Sequence, residues 1–575
     1  MAELQGRTVY PGCVDGSAIV AQTPFPLSGM TFDFGSGSVK WAGHELSGHT
    51  VRGKILVLPE IRAFAGGDWA LFSLSTLYGT APQAILCGDM DAFVIAGAIL
   101  GKIVTIAGLP SAFLQTISTG DRVHVDTERG LLRIERATGT ASAVSFKVRD
   151  AQEPPAFELT SEEGEILAGA QGRAASECLD FMIRYGKAKG ASRLIPIESV
   201  HASGSGYNTT GEAALAYLTR LADDGAKVRV PATLNPIAID LARWREVMRM
   251  PAELNAKQAS LNDAFNRLGF APIYSCAPYW TGNIPRFGSN IVWSEHNAAS
   301  FANSVIGART NFESHLATIP AAVVGRIPYH GLYLPENRRP SIAVNVTARM
   351  TDPVDWRYLG VAAAARVGSR IPIFCGLRDT PSEHHLRDLC SALGPPWSGT
   401  PMLHVEGITP EAREGAISPA HMASLETVTV DAAAMQRVRI ELSGERAGPI
   451  DLVALGCPQY SAREIQTVAD RLRSRKVKDG IQLWILTDAA TRAKAERAGA
   501  VQTIVEAGGQ VLADTCGCAA CPVGRSGFGF RGVATDSTKS CGFLGSTGLK
   551  MHVGSLDECI DAAVSGTWQL RAGAA

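Results

Sequence analysis

The chain has no uninterrupted apolar run of about 18 residues, the length a helix needs to cross a bilayer. Its longest candidate, AFVIAGAILGKIVTIAGL at 92–109, is broken by Lys102 and carries Gly97, Gly101 and Gly108. That pattern predicts a buried helix followed by a strand, so no membrane partner is expected. Net charge is nearly absent too, −1 from 54 Lys+Arg against 55 Asp+Glu, and there is no basic tract. Nucleic acid is therefore not expected as a partner, while a few local arginines can still hold a small anionic or zwitterionic substrate. The opening MAELQGRTVYPGC lacks the basic-then-apolar order of a signal peptide, which makes the cytoplasm the expected compartment. Thiols stay reduced there, so the 12 cysteines read as buried hydrophobes or metal ligands rather than disulfides. Internal repeats and low-complexity tracts are also missing.

What is present is a chain of 575 residues, 46% hydrophobic and 19% charged, the composition of a soluble globular protein too long for one core. KILVLPE (54–60), QAILCGD (83–89) and KIVTIAGL (102–109) predict buried strands, and RVHVDTERGLLRIER (122–136) a hairpin turning at Arg129-Gly130. A small β-rich domain over 1–137 follows. The stretch 138–157, with Pro154-Pro155, reads as a linker. The second domain, 158–575, opens with a helix capped by Thr160 or Ser161 and ending at Gly186 or Gly190. From about 447 to the end, strand and helix patterns alternate: PIDLVALG, SAREIQTVADRLRSR, IQLWILT, TRAKAERAGAVQTIVEAGG, QVLADT. This βαβαβ lobe predicts a parallel sheet.

In open α/β sheets ligands bind beyond the carboxyl ends of strands. Cys457 directly follows DLVALG and Cys516 directly follows VLADT, so two thiols of one lobe face the same edge. Both being small buried hydrophobes is the competing reading. Cys518 and Cys521 form C-x-x-C, a ligand spacing. A zinc ribbon needs a second such pair, and there is none. A thioredoxin-type pair opens a helix, which the glycine-rich flanks disfavour.

The residues that carry a resemblance are GTAPQAILCGDMDAFVIAGAILG in the small domain and, in the large one, RLIPIESVHASGSGYNTTGEAAL, VRVPATLNPIAIDLARW, YSCAPYWTGNIPRFG, WSEHNAASFANSVIGARTN, GLYLPENR, DLVALGCPQYS and LADTC. In these motifs, in this order, the chain resembles aconitase X, the distant branch of the aconitase superfamily, in its fused single-chain form. The resemblance implies an α/β protein with a small swivelling N-terminal domain and a large multi-lobed α/β/α domain built on parallel sheets. It needs no separate small subunit. It also implies an iron–sulfur cluster on three separated cysteines, which match Cys276, Cys457 and Cys516. Cys518 and Cys521 are then bystanders, with the one-cysteine-plus-C-x-x-C pattern of ordinary aconitases as the alternative. Sulfur ligands alone leave the number of irons open. The implied activity is hydro-lyase action on a small-molecule hydroxy acid, with cis-3-hydroxy-L-proline as leading substrate. Another substrate, including mevalonate 5-phosphate, and a non-catalytic ligand-binding role are the alternatives.

Such chemistry needs a Lewis acid, a base at the neighbouring carbon and donors for a carboxylate. The matched motifs offer Glu295, Asn303, Arg309 and Asn311, with Ser294, Asn297 and Ser304 nearby; Arg309 could instead pair with Glu295. In SGSGYNTTG, Ser203, Tyr207, Asn208 and Thr209 are substrate-binding candidates, while Thr210 reads as a helix cap. Thr535, Ser537 and Lys539 fall where the family carries a small-polar run, with a surface role open for Lys539. His201 is a proton carrier or a histidine bonded to backbone. His384-His385 are adjacent and share no helix face, which argues against a metal pair.

One pattern breaks. Aconitase-like enzymes carry a serine-rich turn in the small domain that supplies the proton-abstracting base, and here that position reads Gly66, Gly67, Asp68, Trp69. Asp68 is the candidate catalytic base, because a carboxylate is already basic at neutral pH, or it is a helix N-cap. Ser73 and Ser75 lie further along. A second departure is Asn208, where the mevalonate-phosphate branch often has lysine, which makes a phosphorylated substrate less attractive.

Overall fold

The computed structural model describes residues 2–29, 31–41, 43–63, 66–137, 143–149 and 156–571. The small domain is built on a ten-stranded sheet. Its middle is parallel, Cys13–Val20, Ile55–Ala63, Ala84–Met90 and Val104–Ala107 lying side by side. The inner strands Ile55–Ala63, Ala84–Met90 and Val104–Ala107 are largely buried and apolar, as parallel strands covered on both faces must be, whereas Cys13–Val20 is buried only at Ala18 and Ile19. The predicted hairpin is present as Arg122–Asp126 paired with Leu131–Glu135. Here the structure departs from the linker reading: Val144–Arg149 is a strand between Leu131–Glu135 and Ala2–Gln5. VSFKVR alternates by residue, and the free edge of the hairpin captures it. The rest of the predicted linker, 138–142 and 150–155, lies outside the described residues.

The large domain contains three parallel sheets. The first aligns Ala232–Leu234, Val200–Ala202 and Val292–Trp293. The second aligns His404–Val405, Pro372–Cys375, Ile342–Val346 and Thr427–Val430. The third is the predicted βαβαβ lobe extended by two strands, in the order Gln510–Ala513, Gln482–Thr487, Leu452–Leu455, Gly532–Thr535, Lys550–Val553.

Two predicted helices are each broken in two. The first runs Ser161–Leu167 and Arg173–Ala188, with Gly169 and Gly172 at positive φ between them; Thr160 forms the predicted cap, a capping box with Glu163. The other runs Ala489–Arg497 and Ala500–Glu506, interrupted at Gly499. Among the described residues no helix is long and apolar enough to cross a membrane.

Buried charge joins the second and third lobes. Arg357 contacts Asp388 and, at 2.7 Å, Asp536, while Arg387 bonds Asp388 and Glu464, each at 2.7 Å. These groups fix the turn after Leu452–Leu455 against the second lobe, because Tyr460 on that turn donates to Asp536 at 2.6 Å.

Candidate active site

Cys457 sits on the turn beyond Leu452–Leu455. The preceding Gly456 has φ +98°, and a Cβ there would lie 2.4 Å from the Leu486 carbonyl oxygen, so only glycine fits. Cys516 follows Gln510–Ala513, and its N–H donates to the Ile237 carbonyl at 2.8 Å, which ties it to the first lobe. Cys276 lies two residues past Tyr274, which bridges to Leu234 at the end of the first sheet. Three segments distant in sequence therefore deliver thiols from strand ends of two sheets.

Gln459 holds them together. Its N–H donates to Cys276 Sγ at 3.1 Å, and its Oε1 accepts from the Cys276 N–H at 3.2 Å. Its Nε2 donates to the carbonyls of Thr487 and Thr515, the latter adjoining Cys516. Each sulfur feels the others. Burial pushes the Cys276 thiol up, and the charges of Glu295, Cys457 and Cys516 add to that. Cys518, bonded to the Cys457 sulfur, pulls that thiol down to about 6 against burial, helped by the Lys539 cation.

Cys518 shares this pocket. Its Sγ lies 4.0 Å from Cys457 Sγ and 3.7 Å from Ser540 Oγ. It also opens a helix, Gly517–Phe528, against the expectation from its flanks. The glycines there serve close packing instead: a Cβ at Gly517 would meet Leu486, and one at Gly524 would meet Trp484 and Phe530. Cys521, on the same helix, is fully buried in the apolar core.

Lys539 is not a surface residue: it is largely buried and ion-paired with Glu295 at 2.5 Å. Glu295 also caps the helix His296–Phe301 by accepting from the Ala298 N–H. Burial opposes its ionisation, but Lys539 holds the carboxyl below the usual range. Ser537 caps the helix Thr538–Gly545, which places Lys539 and Ser540 beside Cys457 and Cys518. Thr535 is fully buried and accepts from the Ser537 N–H.

Arg309 does not pair with Glu295. Its half-buried guanidinium has no ionic partner or side-chain hydrogen bond among the described residues. Asn303 bonds the backbone of Thr310 and Pro401 and accepts from Arg338, and Asn311 braces the turn at Leu332. Both are held by protein groups. His201 is fully buried, bonded to the Thr233 hydroxyl rather than to backbone, and burial lowers it to about 4. His384 bonds Ser461 while His385 stacks on Trp356, so the two rings face different neighbours.

The SGSGYNTTG loop links Val200–Ala202 to the helix Tyr207–Asp223. The helix starts after Gly206, and Thr210 donates back to the Gly206 carbonyl instead of capping. Ser203 donates to the Ser294 carbonyl at 2.8 Å, beside Glu295. Tyr207, Asn208 and Thr209 face the small domain across a cleft of about 240 Å³, lined opposite by Gly66, Trp69 and Ser73. Asn208 donates to the Ala519 carbonyl, joining this cleft to the Cys518 helix.

Asp68 is completely buried. The N-cap of its own helix, Gly67–Phe72, is Gly66, and the Asp68 carboxylate reaches across the domain interface instead. It accepts from Ser314 Oγ at 3.1 Å and from the Leu316 N–H at 3.2 Å, at the start of the helix His315–Val324, and lies 3.3 Å from His315 Nδ1. Burial would raise it, but His315 and these donors hold it below the usual carboxylate range.

Sequence reasoning passed over Gln459, Ser540 and His315. Gln459 and Ser540 lie within two residues of singled-out positions, and only their contacts give them importance. Another unpredicted group, Cys13, His124 and Asp126, has its ligand atoms within 4.8 Å of one another. It lies on the small domain's sheet and shares no element with the four-cysteine pocket.

Comparison with known proteins covers all these parts. Family models for the aconitase X swivel domain and its first, second and third domains match residues 3–134, 156–336, 340–440 and 450–565. The chain is 34% identical to a cis-3-hydroxy-L-proline dehydratase of Pseudomonas aeruginosa over 97% of this chain and 96% of that one. It is 34% identical to the phosphomevalonate dehydratase large subunit of Thermococcus kodakarensis over 70% of this chain and 99% of that one. The crystal structure of Thermococcus kodakaraensis aconitase X in its holo form superposes with a TM-score of 0.64 at 34% identity, over 71% of this chain and 100% of that one.

Proposed function

The chain belongs to the aconitase X family, and from that premise we propose that it is a dehydratase that removes water from cis-3-hydroxy-L-proline. The observation that carries this reading is the meeting of Cys276, Cys457 and Cys516 beside the Lys539–Glu295 pair. Soft sulfur ligands, one already accepting an N–H bond from Gln459, suit an iron–sulfur cluster better than a hard cation, and these three residues would hold it. When bound, the cluster supplies a Lewis acid for the leaving hydroxyl.

The chain's own residues do the rest. Arg309, whose guanidinium has no ionic partner among the described residues, offers the substrate carboxylate the planar fork that matches two carboxylate oxygens. Lys539 is held charged by Glu295 and sits where negative charge gathers on the leaving oxygen. Tyr207, Asn208 and Thr209, from the large domain, and Trp69, from the small one, wall the cleft through which a small substrate reaches these groups. A full-length single-chain relative with this activity supports hydroxyproline over a phosphorylated substrate. Asn208 in place of a lysine points the same way.

The test is anaerobic reconstitution of the full chain with iron and sulfide, followed by mass spectrometry of hydroxyprolines and mevalonate 5-phosphate. Loss of one water from cis-3-hydroxy-L-proline is the expected result. Dehydration of the phosphate ester alone would overturn the substrate, and failure to take up iron would overturn the cluster.

A further inference from the structure

At the place where a base is expected, residues 66–69, the sequence carries no serine. Ser73 donates to the Trp69 carbonyl at 2.8 Å and Ser75 to the Gly101 carbonyl at 2.5 Å, so neither hydroxyl faces a substrate unpartnered. Asp68 has Oδ2 engaged by Ser314 Oγ and the Leu316 N–H, and Oδ1 by the Trp69 N–H. The group that shares this contact and still has a free edge is His315.

Three neighbours fix the ring. Phe93 from the small domain packs edge-on at 5.1 Å and 86°. Gly204 lies against the ring, and a Cβ there would come within 3.1 Å of Cγ, so the SGSGYNTTG loop keeps glycine where the imidazole must pass. Asp68 Oδ1 stands 3.3 Å from Nδ1. Nδ1 makes no well-aligned hydrogen bond, a looseness common in catalytic pairs before substrate closes them. The opposite nitrogen, Nε2, has no hydrogen-bond partner among the described residues, and the side chain keeps 14% of its surface exposed. The adjoining Ser203 is bonded to Ser294, next to Glu295 and its partner Lys539. His315 thus packs on the Gly204 turn, whose neighbour Ser203 is tied to the Ser294–Glu295 segment that holds Lys539.

Resting on the dehydratase reading above, we propose that His315 is the proton-abstracting base and that Asp68 is its positioning residue, the two replacing the absent serine. Asp68, as an acceptor-only carboxylate, holds the proton on Nδ1, which leaves Nε2 as a lone-pair acceptor. Nε2 takes the proton from the carbon next to the carboxylate. That C–H electron pair becomes the new C=C bond while the C–O bond to the hydroxyl breaks. The proton held on the imidazole is then returned to solvent or to the departing hydroxide, so substrate becomes product plus water with no change of oxidation state. Because Asp68 comes from the small domain and His315 from the large one, the pair is complete only when the domains are docked.

Two measurements on the full chain test this. In the reconstituted enzyme with cis-3-hydroxy-L-proline, His315→Gln should lower kcat by about a thousandfold with KM within about threefold, as expected for loss of a general base. Asp68→Asn should cost about ten- to a hundredfold, and the double variant should be no worse than His315→Gln. Turnover by His315→Gln within threefold of the parent overturns the proposal. The second measurement needs no turnover. Bromoacetate, a small carboxylate electrophile, should alkylate His315 saturably, as read by peptide mapping, and more slowly in Asp68→Asn. Absence of a His315 adduct in the parent overturns the proposal, even if a variant fails to fold. If the parent dehydrates no hydroxyproline, the substrate reading fails on its own, and the labelling still decides the base.

Discussion

Gln459 and Cys276 bond each other twice, backbone N–H to sulfur at 3.1 Å in one direction and backbone N–H to side-chain oxygen at 3.2 Å in the other. The pair crosses from the third lobe to the first. It sets the distance between two thiols that no local sequence feature could set. Gln459→Ala removes one half of this reciprocal bond and both ties to Thr487 and Thr515. Iron retained after anaerobic reconstitution should fall about ten- to a hundredfold in affinity, the usual cost of losing a group that orients a metal ligand. Iron and sulfide analysis with a chelator titration reads it, and unchanged retention would show that Gln459 is dispensable.

The four thiols of the pocket should separate by role. Cys276→Ser, Cys457→Ser and Cys516→Ser should each abolish iron uptake. Cys518→Ala should keep most of it, because Cys518 stands beside Cys457 at 4.0 Å and beside Ser540 at 3.7 Å as a neighbour of the three matched thiols. Cys521→Ala should leave iron content unchanged. Loss of iron in Cys518→Ala but not in Cys516→Ser would reverse the assignment.

Arg309→Ala should raise KM for cis-3-hydroxy-L-proline by about tenfold or more while kcat changes less, since binding that is equal in ground and transition states shows in KM. Steady-state kinetics decide it. A fall in kcat at constant KM would instead place Arg309 in the transition state.

Lys539→Gln leaves Glu295 buried without its ion partner. Breaking a buried pair in this way costs about 3–5 kcal/mol. Urea denaturation should show that loss in Lys539→Gln, and the double variant Lys539→Gln/Glu295→Gln should recover a large part of it. A double variant as unstable as the single one would mean the pair is not the source.

Acid should loosen the joint between the second and third lobes. Burial opposes ionisation of Glu464, but Arg387 overrides it and holds the carboxyl at about 2. A carboxylate depressed from 4.5 to about 2 contributes stability that is complete above pH 4.5 and disappears as pH falls toward 2. The contribution is on the order of 3 kcal/mol. Glu464→Gln should therefore flatten the pH dependence of the denaturation midpoint in that window, and a variant as acid-sensitive as the parent would exclude this carboxylate as the cause.

Much of the architecture was legible beforehand because it is written in local patterns. Buried runs such as KILVLPE and IQLWILT have no other good state than a covered strand, and their alternation with amphipathic helices such as SAREIQTVADRLRSR leaves a parallel sheet as the outcome. That same alternation placed Cys457 and Cys516 at one sheet edge. The errors came where local signals compete with distant ones. VSFKVR looked like part of a polar connection, and a free sheet edge made it a strand. Glycines around Cys518 looked like helix breakers, and close approach to Leu486, Trp484 and Phe530 made them packing positions.

Sequence by itself determined the family, the domain order, the strand ends that carry Cys457 and Cys516, and the missing serine turn, since each is a property of neighbouring residues. Only the tertiary structure decided that Cys518 joins the pocket, that Lys539 pairs with Glu295 while Arg309 has no ionic partner among the described residues, and that Asp68 reaches His315. Those are contacts between segments up to hundreds of residues apart, and no periodicity or spacing encodes which side chain a buried charge will meet.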